Sequence, residues 1–153
     1  MKKQKKKPYK FTECGLNNII LLDIESFNCV HCHEEEILIP FPEKLHRIIA
    51  QNLATQSQQL LPEEIRFLRA HLGFSGIGFA NTIGVQPETV SRWENGSAKM
   101  SVPHERLLRT LILCEFGPIR DYFETLKDLA TKEASRKNKK TFTLKKQDWK
   151  LAA

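Results

Sequence analysis

Apolar residues are spaced in two different ways along the 153-residue chain. Before residue 41 they come in short runs, Tyr9 to Cys14, Ile19 to Leu22 and Ile37-Leu38-Ile39, with Gly15, Asn17-Asn18 and Pro40 as punctuation. Short apolar runs bounded by turn formers read as strands. From Pro42 the spacing changes: Leu45, Ile48, Ile49 and Leu53 fall at i, i+3, i+4 and i+8, one face of a helix. Ala54-Thr55-Gln56-Ser57-Gln58-Gln59 then has no charge and little apolar bulk, the composition of a linker.

Beyond the linker the helices are short and closely punctuated. Pro62 sits at a first-turn position before Glu63 to Leu72, where Ile65, Leu68 and Leu72 share a face and Gly73 ends the run. Ser75 is placed to cap a second helix reaching Ile83, closed by Gly84. Gln86 and Pro87 open a third through Glu94, stopped by Asn95-Gly96. Pro103 opens a fourth with Leu107, Leu108, Leu111 and Ile112 as its apolar face, ended by Gly117-Pro118. Ile119, Tyr122, Phe123, Leu126 and Leu129 predict a fifth, to about Ala130. The remainder is basic and polar, the pattern of a tail that stays mobile until a partner orders it.

Charge divides along the same lines. Residues 1–10 hold six Lys and no acid, and residues 131–153 hold eight Lys/Arg against two acids. Residues 11–130 hold ten bases and sixteen acids, so the formal net charge of +6 comes from two arms flanking an acidic body. A basic excess points to nucleic acid, and here it points to the arms: Glu63–Glu115 balances six bases with six acids. Phe142 and Trp149, flanked by Lys, are candidates either to stack on bases or to anchor a protein. Ile19-Ile20-Leu21-Leu22 is the longest apolar run after the basic start, too short for a signal core or a membrane span, so a cytoplasmic location and no membrane partner are expected.

Four Cys, two of them three positions apart, do not form a disulfide framework, and the spacing suggests thiolate ligands in a reducing compartment. Cys29-Val30-His31-Cys32-His33 contains the two-residue spacing that lets two thiolates share a tetrahedral metal. Cys14 and one of His31 or His33 would complete the set, making Cys14, Cys29, Cys32 and His33 the candidate ligands and zinc the candidate cofactor. Two other readings stay open: free thiols in a degenerate ribbon, or a redox pair. Cys114 lies on the apolar side of the fourth helix and is expected in the core. Catalysis has little support. Gly73, Gly76 and Gly78 are not followed by the Lys-Ser/Thr of a phosphate loop, His46, His71 and His104 stand singly, and Glu34-Glu35-Glu36 reads as a solvated acidic turn.

Residues 74–96 give each position a physical task. Ala80 is small where two helices cross, Gly84 permits positive φ in the turn, and Val85, Val90 and Trp93 pin the following helix to the core. Gln86, Glu88, Thr89, Ser91 and Arg92 are left on its outer side, where a helix N-terminus enters a major groove. Over about residues 61–115 this resembles the Cro/CI-type (Xre) helix-turn-helix family, and Thr89-Val90-Ser91-Arg92-Trp93-Glu94-Asn95-Gly96 carries the resemblance most specifically.

The resemblance implies base contacts at Pro87, Glu88 and Arg92, with Gln86, Thr89 and Ser91 near phosphates and base edges. Arg92 suits a bidentate grip on guanine. Glu88 either accepts from cytosine or serves as a first-turn acid. Relatives carry Gln where this chain has Gly76, so a phosphate contact and a brace are missing from the pattern.

With Phe11 to Leu16, the Cys29/Cys32 knuckle and Pro62 to Arg69, the order of elements is similar to the MqsA/YgiT-type antitoxin family. That likeness implies a mainly α fold, with a small N-terminal β zinc-ribbon-like unit before a lambda-repressor-like five-helix helix-turn-helix domain. The expected boundaries are a basic arm at 1–10, a ribbon-like unit plus helix at 11–53, a linker at 54–60, the helix-turn-helix domain at 61–130 and a basic tail at 131–153. The expected function is a sequence-specific DNA-binding transcriptional regulator, not an enzyme: a dimeric autorepressor of antitoxin type on double-stranded DNA, with Leu111, Phe116, Tyr122, Phe123 and Leu126 offering a homodimer surface. The alternative is a protein-binding adaptor or antitoxin whose N-terminal unit grips a toxin or another protein and whose helix-turn-helix binds DNA weakly or not at all.

Overall fold

The computed structural model describes residues 2–3, 7–118, 139–145 and 148–152. The chain divides into two compact units, residues 1–48 with 137–153 and residues 49–136. No helix among the described residues is long and apolar enough to cross a membrane.

The first unit is a sheet. Among the described residues six strands pair: β1 (Lys2–Lys3), β2 (Lys7–Lys10), β3 (Ile19–Asn28), β4 (Glu35–Leu38), β5 (Lys140–Lys145) and β6 (Asp148–Leu151). β3 is the spine. Its first half is flanked by antiparallel β2 and parallel β5, and its second half by antiparallel β1 and β4. β6 pairs antiparallel with β5 at the far edge.

The halves of β3 meet at Asp23, a non-glycine residue at φ 60°. Up to that point Ile19 and Leu21 are buried, and after it Ile24 and Ser26, so the inward alternation slips by one residue there. The buried row continues with Leu21 beside Phe142 and with Trp149, whose indole N–H donates to the Pro40 carbonyl at 3.0 Å. Phe11, Leu16 and Leu45 are also buried in this unit, and the Phe11 ring stacks on His46 at 5.8 Å between centroids. Each fully buried side chain of this size contributes roughly 1.5–3 kcal/mol.

These strands overturn the expectation of a mainly α chain. Strands come first, then helices, then strands again at the C-terminal end, an α/β arrangement. The expected mobile tail contains β5 and β6, and its aromatic residues face inward: Phe142 is fully buried and Trp149 is 4% exposed, so neither is available to stack on a base. Six of the tail's eight cations lie from Lys137 onward and dominate its average, but a strand needs only every second residue to be apolar. Phe142 and Leu144 on β5, and Trp149 on β6, meet that need.

Helix α1 (Pro42–Thr55) crosses from one unit into the other, with Ile49, Ala50, Leu53 and Ala54 buried in the second. That unit continues with α2 (Pro62–His71), α3 (Gly76–Ile83), α4 (Pro87–Asn95) and α5 (Val102–Leu113). Pro begins α2, α4 and α5 within their first turns, where its missing N–H costs nothing. Ser75 Oγ accepts from the Gly78 N–H at 3.0 Å to start α3. The fifth helix expected at 119–130 lies outside the described residues, as do Tyr122, Phe123 and Leu126 of the expected dimer surface. On α5, Leu108 and Ile112 are buried but Leu107 is 40% exposed, and Cys114, expected in the core, is exposed at the helix end.

The stretch at 54–60, whose composition suggests a linker, is held by a buried cation. The Arg109 guanidinium on α5 is 1% exposed and donates to the Glu105 carboxylate at 2.8 and 3.1 Å. Its remaining N–H groups reach the carbonyls of Leu53 (2.9 Å), Ala54 (3.1 Å), Gln56 (2.7 Å) and Gln58 (2.6 Å). The last carbonyls of α1 have no partner within their own helix, and a planar five-donor group satisfies several at once.

Candidate nucleic-acid interface

α3, the three residues Gly84-Val85-Gln86, and α4 form a helix, turn and second helix. Gly84 sits at φ 75° and Gly96 at φ 80°, closing α3 and α4 in the left-handed region that side chains disfavour. A Cβ on Gly84 would meet nothing within 4 Å, so its requirement is conformational.

α4 packs on α2 and α3 through buried Val90 and Trp93, with the Trp93 ring 5.2 Å from His104. A second tether is ionic. Glu94 accepts from Arg69 through both carboxylate oxygens, at 2.5 and 3.0 Å, while Arg69 also donates to the Phe74 carbonyl at 2.6 Å. The Glu94 carboxylate raises the Arg69 pKa, holding the guanidinium charged. Arg66 adds a bond to the Glu94 backbone carbonyl at 3.2 Å. α4 is therefore fixed along its inner face from α2, whose part in the site the sequence did not disclose.

The outer face carries the residues expected to read a groove. Gln86, Glu88, Ser91 and Arg92 are exposed, while Pro87 and Thr89 are half-buried. Glu88, Ser91, Arg92 and Asn95 recur at i, i+3, i+4 and i+7, one stripe of the helix. Asn95, read in the sequence only as part of the helix stop, has a side-chain oxygen that accepts from the Ser97 N–H at 2.9 Å, which shapes the turn leaving α4.

Beside the stripe lies a cleft of about 190 Å³, with Arg66, Gly76, Ile77 and Pro87 among its lining. A Cβ on Gly76 would meet nothing within 4 Å, so the space that a longer side chain would take is open. Ile77 is 64% exposed at its edge.

The cysteines separate. Cys14 lies in the turn before β3, and Cys29 and Cys32 in the hairpin that joins β3 to β4. Ten residues of strand, about 30 Å at the usual rise, lie between the two places. Cys29 and Cys32 do come together: the backbone N–H groups of Cys32 and His31, and the Cys32 thiol, point at the Cys29 sulfur and lower its pKa. The Cys32 thiol also lies 3.7 Å from Glu34. His33, exposed at φ 61°, gives its N–H to the Cys29 carbonyl at 3.0 Å. Burial instead raises the pKa of Cys14. The four candidate zinc ligands thus do not share one coordination sphere, and among the described residues no group of three or more His, Cys, Asp or Glu is disposed to hold a metal.

Neither family models, curated proteins nor solved structures give a match to this chain.

Proposed function

We propose that the helical unit is the DNA-reading module of a transcriptional regulator of the Cro/CI type, acting in the cytoplasm as a dimeric repressor. The observation that carries this reading is the division of α4. Val90, Trp93 and Glu94 fix it inward, and Glu88, Ser91 and Arg92 stand exposed on one stripe. A helix held rigidly on one side and polar on the other is what readout of base edges requires. All four Cys are free, in keeping with a reducing compartment.

The test is selection from random duplex DNA at fixed salt. An enriched palindrome is expected, and Arg92→Ala then weakens binding to it by about 1–3 kcal/mol while binding to scrambled duplex stays nearly unchanged. Equal losses on both duplexes would remove Arg92 from base reading.

A second reading, a protein-binding adaptor, draws on the exposed Ile77 beside the open cleft and on the equal numbers of acids and bases in Glu63–Glu115. Selection without any enriched sequence would favour it.

A further inference from the structure

The two lysine-rich ends of the chain, more than a hundred residues apart in sequence, enter one sheet. β2 from the N-terminal end and β5 from the C-terminal end pair with the same half of β3, from opposite sides. Counted over each unit, the sheet unit carries 14 Lys/Arg against 8 Asp/Glu and the helical unit 10 against 10. The entire net charge of +6 therefore belongs to the sheet unit.

Register places three of these lysines on one face. Residues paired across strands point to the same side of a sheet. Lys10, Ile20 and Thr141 form one cross-strand row, and Leu22, Thr143 and Lys150 the next. Lys145 follows two residues after Thr143, on that same side. The opposite side carries the apolar core, with Ile19, Leu21 and Phe142, while on this side Thr143 is also buried and Ile20, Leu22 and Thr141 are half-buried between the lysines. Lys10, Lys145 and Lys150 are all exposed.

This face also holds acids. Glu25 and Glu36 belong to the other half of β3 and to β4, away from the three lysines, and Asp148, opposite Lys145 and so on the same side, is paired with Lys44 at 3.2 Å.

We infer that this face of the sheet, at Lys10, Lys145 and Lys150, is a docking surface for the phosphate backbone of duplex DNA. Three strand spacings separate β2 from β6, about 14 Å, close to the roughly 12 Å width of a major groove between its two phosphate strands. A single strand fits less well, because stacking needs exposed rings and both Phe142 and Trp149 are turned into the core. The inference rests on the reading of α4 as a DNA reader. The continuous chain then makes the two contacts intramolecular partners, so a weak backbone grip multiplies the affinity of a sequence-reading helix.

The test uses the full chain carrying Lys10→Gln, Lys145→Gln and Lys150→Gln together, with fluorescence anisotropy on a random-sequence duplex across a salt series. The slope of log affinity against log salt should become shallower by up to about 2.7, three phosphate contacts at about 0.9 each. The matching triple Lys→Arg variant should keep the wild-type slope, showing that positive charge and not a fold defect is read. An unchanged slope in the Gln variant overturns the inference, as does an equal loss in the Arg variant. The two readings fail separately: a shallower slope with no enriched sequence in the selection sinks the α4 reading alone, and an enriched sequence with an unchanged slope sinks the sheet surface alone.

Discussion

The helical unit and the sheet unit place their charges in opposite ways. In the helical unit the best-ordered ions are turned inward: Arg109 is buried against Glu105 and four carbonyls, and Arg69 is locked to Glu94. Arg92 is left outside among neutral and acidic neighbours. In the sheet unit an apolar core of Leu21, Phe142 and Trp149 sits beneath lysines that face solvent. One unit uses cations to fix a shape, and the other displays them. A count of basic residues therefore says little about where charge is available to a ligand. Long-range attraction and base reading can belong to different parts of one chain.

The largest expected effect tests the inward charges. Arg109→Met leaves Glu105 and the carbonyls at 53–58 buried without their donor and should destabilise the helical unit by about 3–5 kcal/mol. Each unit holds one of the two Trp, so Trp93 fluorescence in a Trp149→Phe background reports that unit alone. A loss under about 1 kcal/mol in denaturant titration would mean that the cation is not truly interior.

Trp149→Phe by itself strips the donor from the Pro40 carbonyl and should cost the sheet unit about 1–3 kcal/mol. If the denaturation midpoint does not move, the C-terminal strands are not part of that unit's core.

Gly84→Ala forces a side chain into the left-handed region with no clash to relieve, so about 1 kcal/mol of helical-unit stability should be lost. No loss would show that the turn between α3 and α4 adopts another conformation.

The smallest effect belongs to the sheet unit. The hydrogen bond from Tyr9 to the Glu13 carboxylate, helped by slight burial and the nearby negative charge, pushes the phenol from its ordinary 10.0 up to about 12. Its pKa is raised by folding, so its contribution to stability is complete below pH 10 and fades as pH climbs toward about 12. Alkaline titration of tyrosinate absorbance should show this late phenol in the wild type and lose it in Tyr9→Phe.

The helices of the second unit were legible because local chemistry marks their ends: Pro62, Ser75, Pro87 and Pro103 near the starts, Gly73, Gly84 and Gly96 after the stops. The sheet was not. The second half of β3 contains Asp23, Glu25 and Ser26, which hide a strand whose inward phase shifts at Asp23. Nothing near residue 140 announces a partner near residue 20.

The candidate site divides in the same manner. The inward Val90 and Trp93 and the outward Arg92 follow from helical spacing, whereas Arg69 and Arg109 look in sequence like any surface arginine. Their partners, Glu94 and the carbonyls at 53–58, come from segments that only the fold brings near. Cys14 shows the converse: sequence spacing offers it as a ligand beside Cys29 and Cys32, and the fold places it at the other end of one strand.

The parallel pairing of residues 19–22 with residues 140–143 also fixes a timetable. During synthesis at about 5–20 residues per second, β3 emerges roughly ten seconds before the strand that completes one of its sides. β2 and β4 reach it at once as neighbours in sequence, but the edge reserved for β5 stays open while the whole helical unit is made. That order lets α2 to α5 pack first, through contacts local in sequence. A chain released before residue 140 would carry finished helices and an uncovered strand edge, a template for association with other chains.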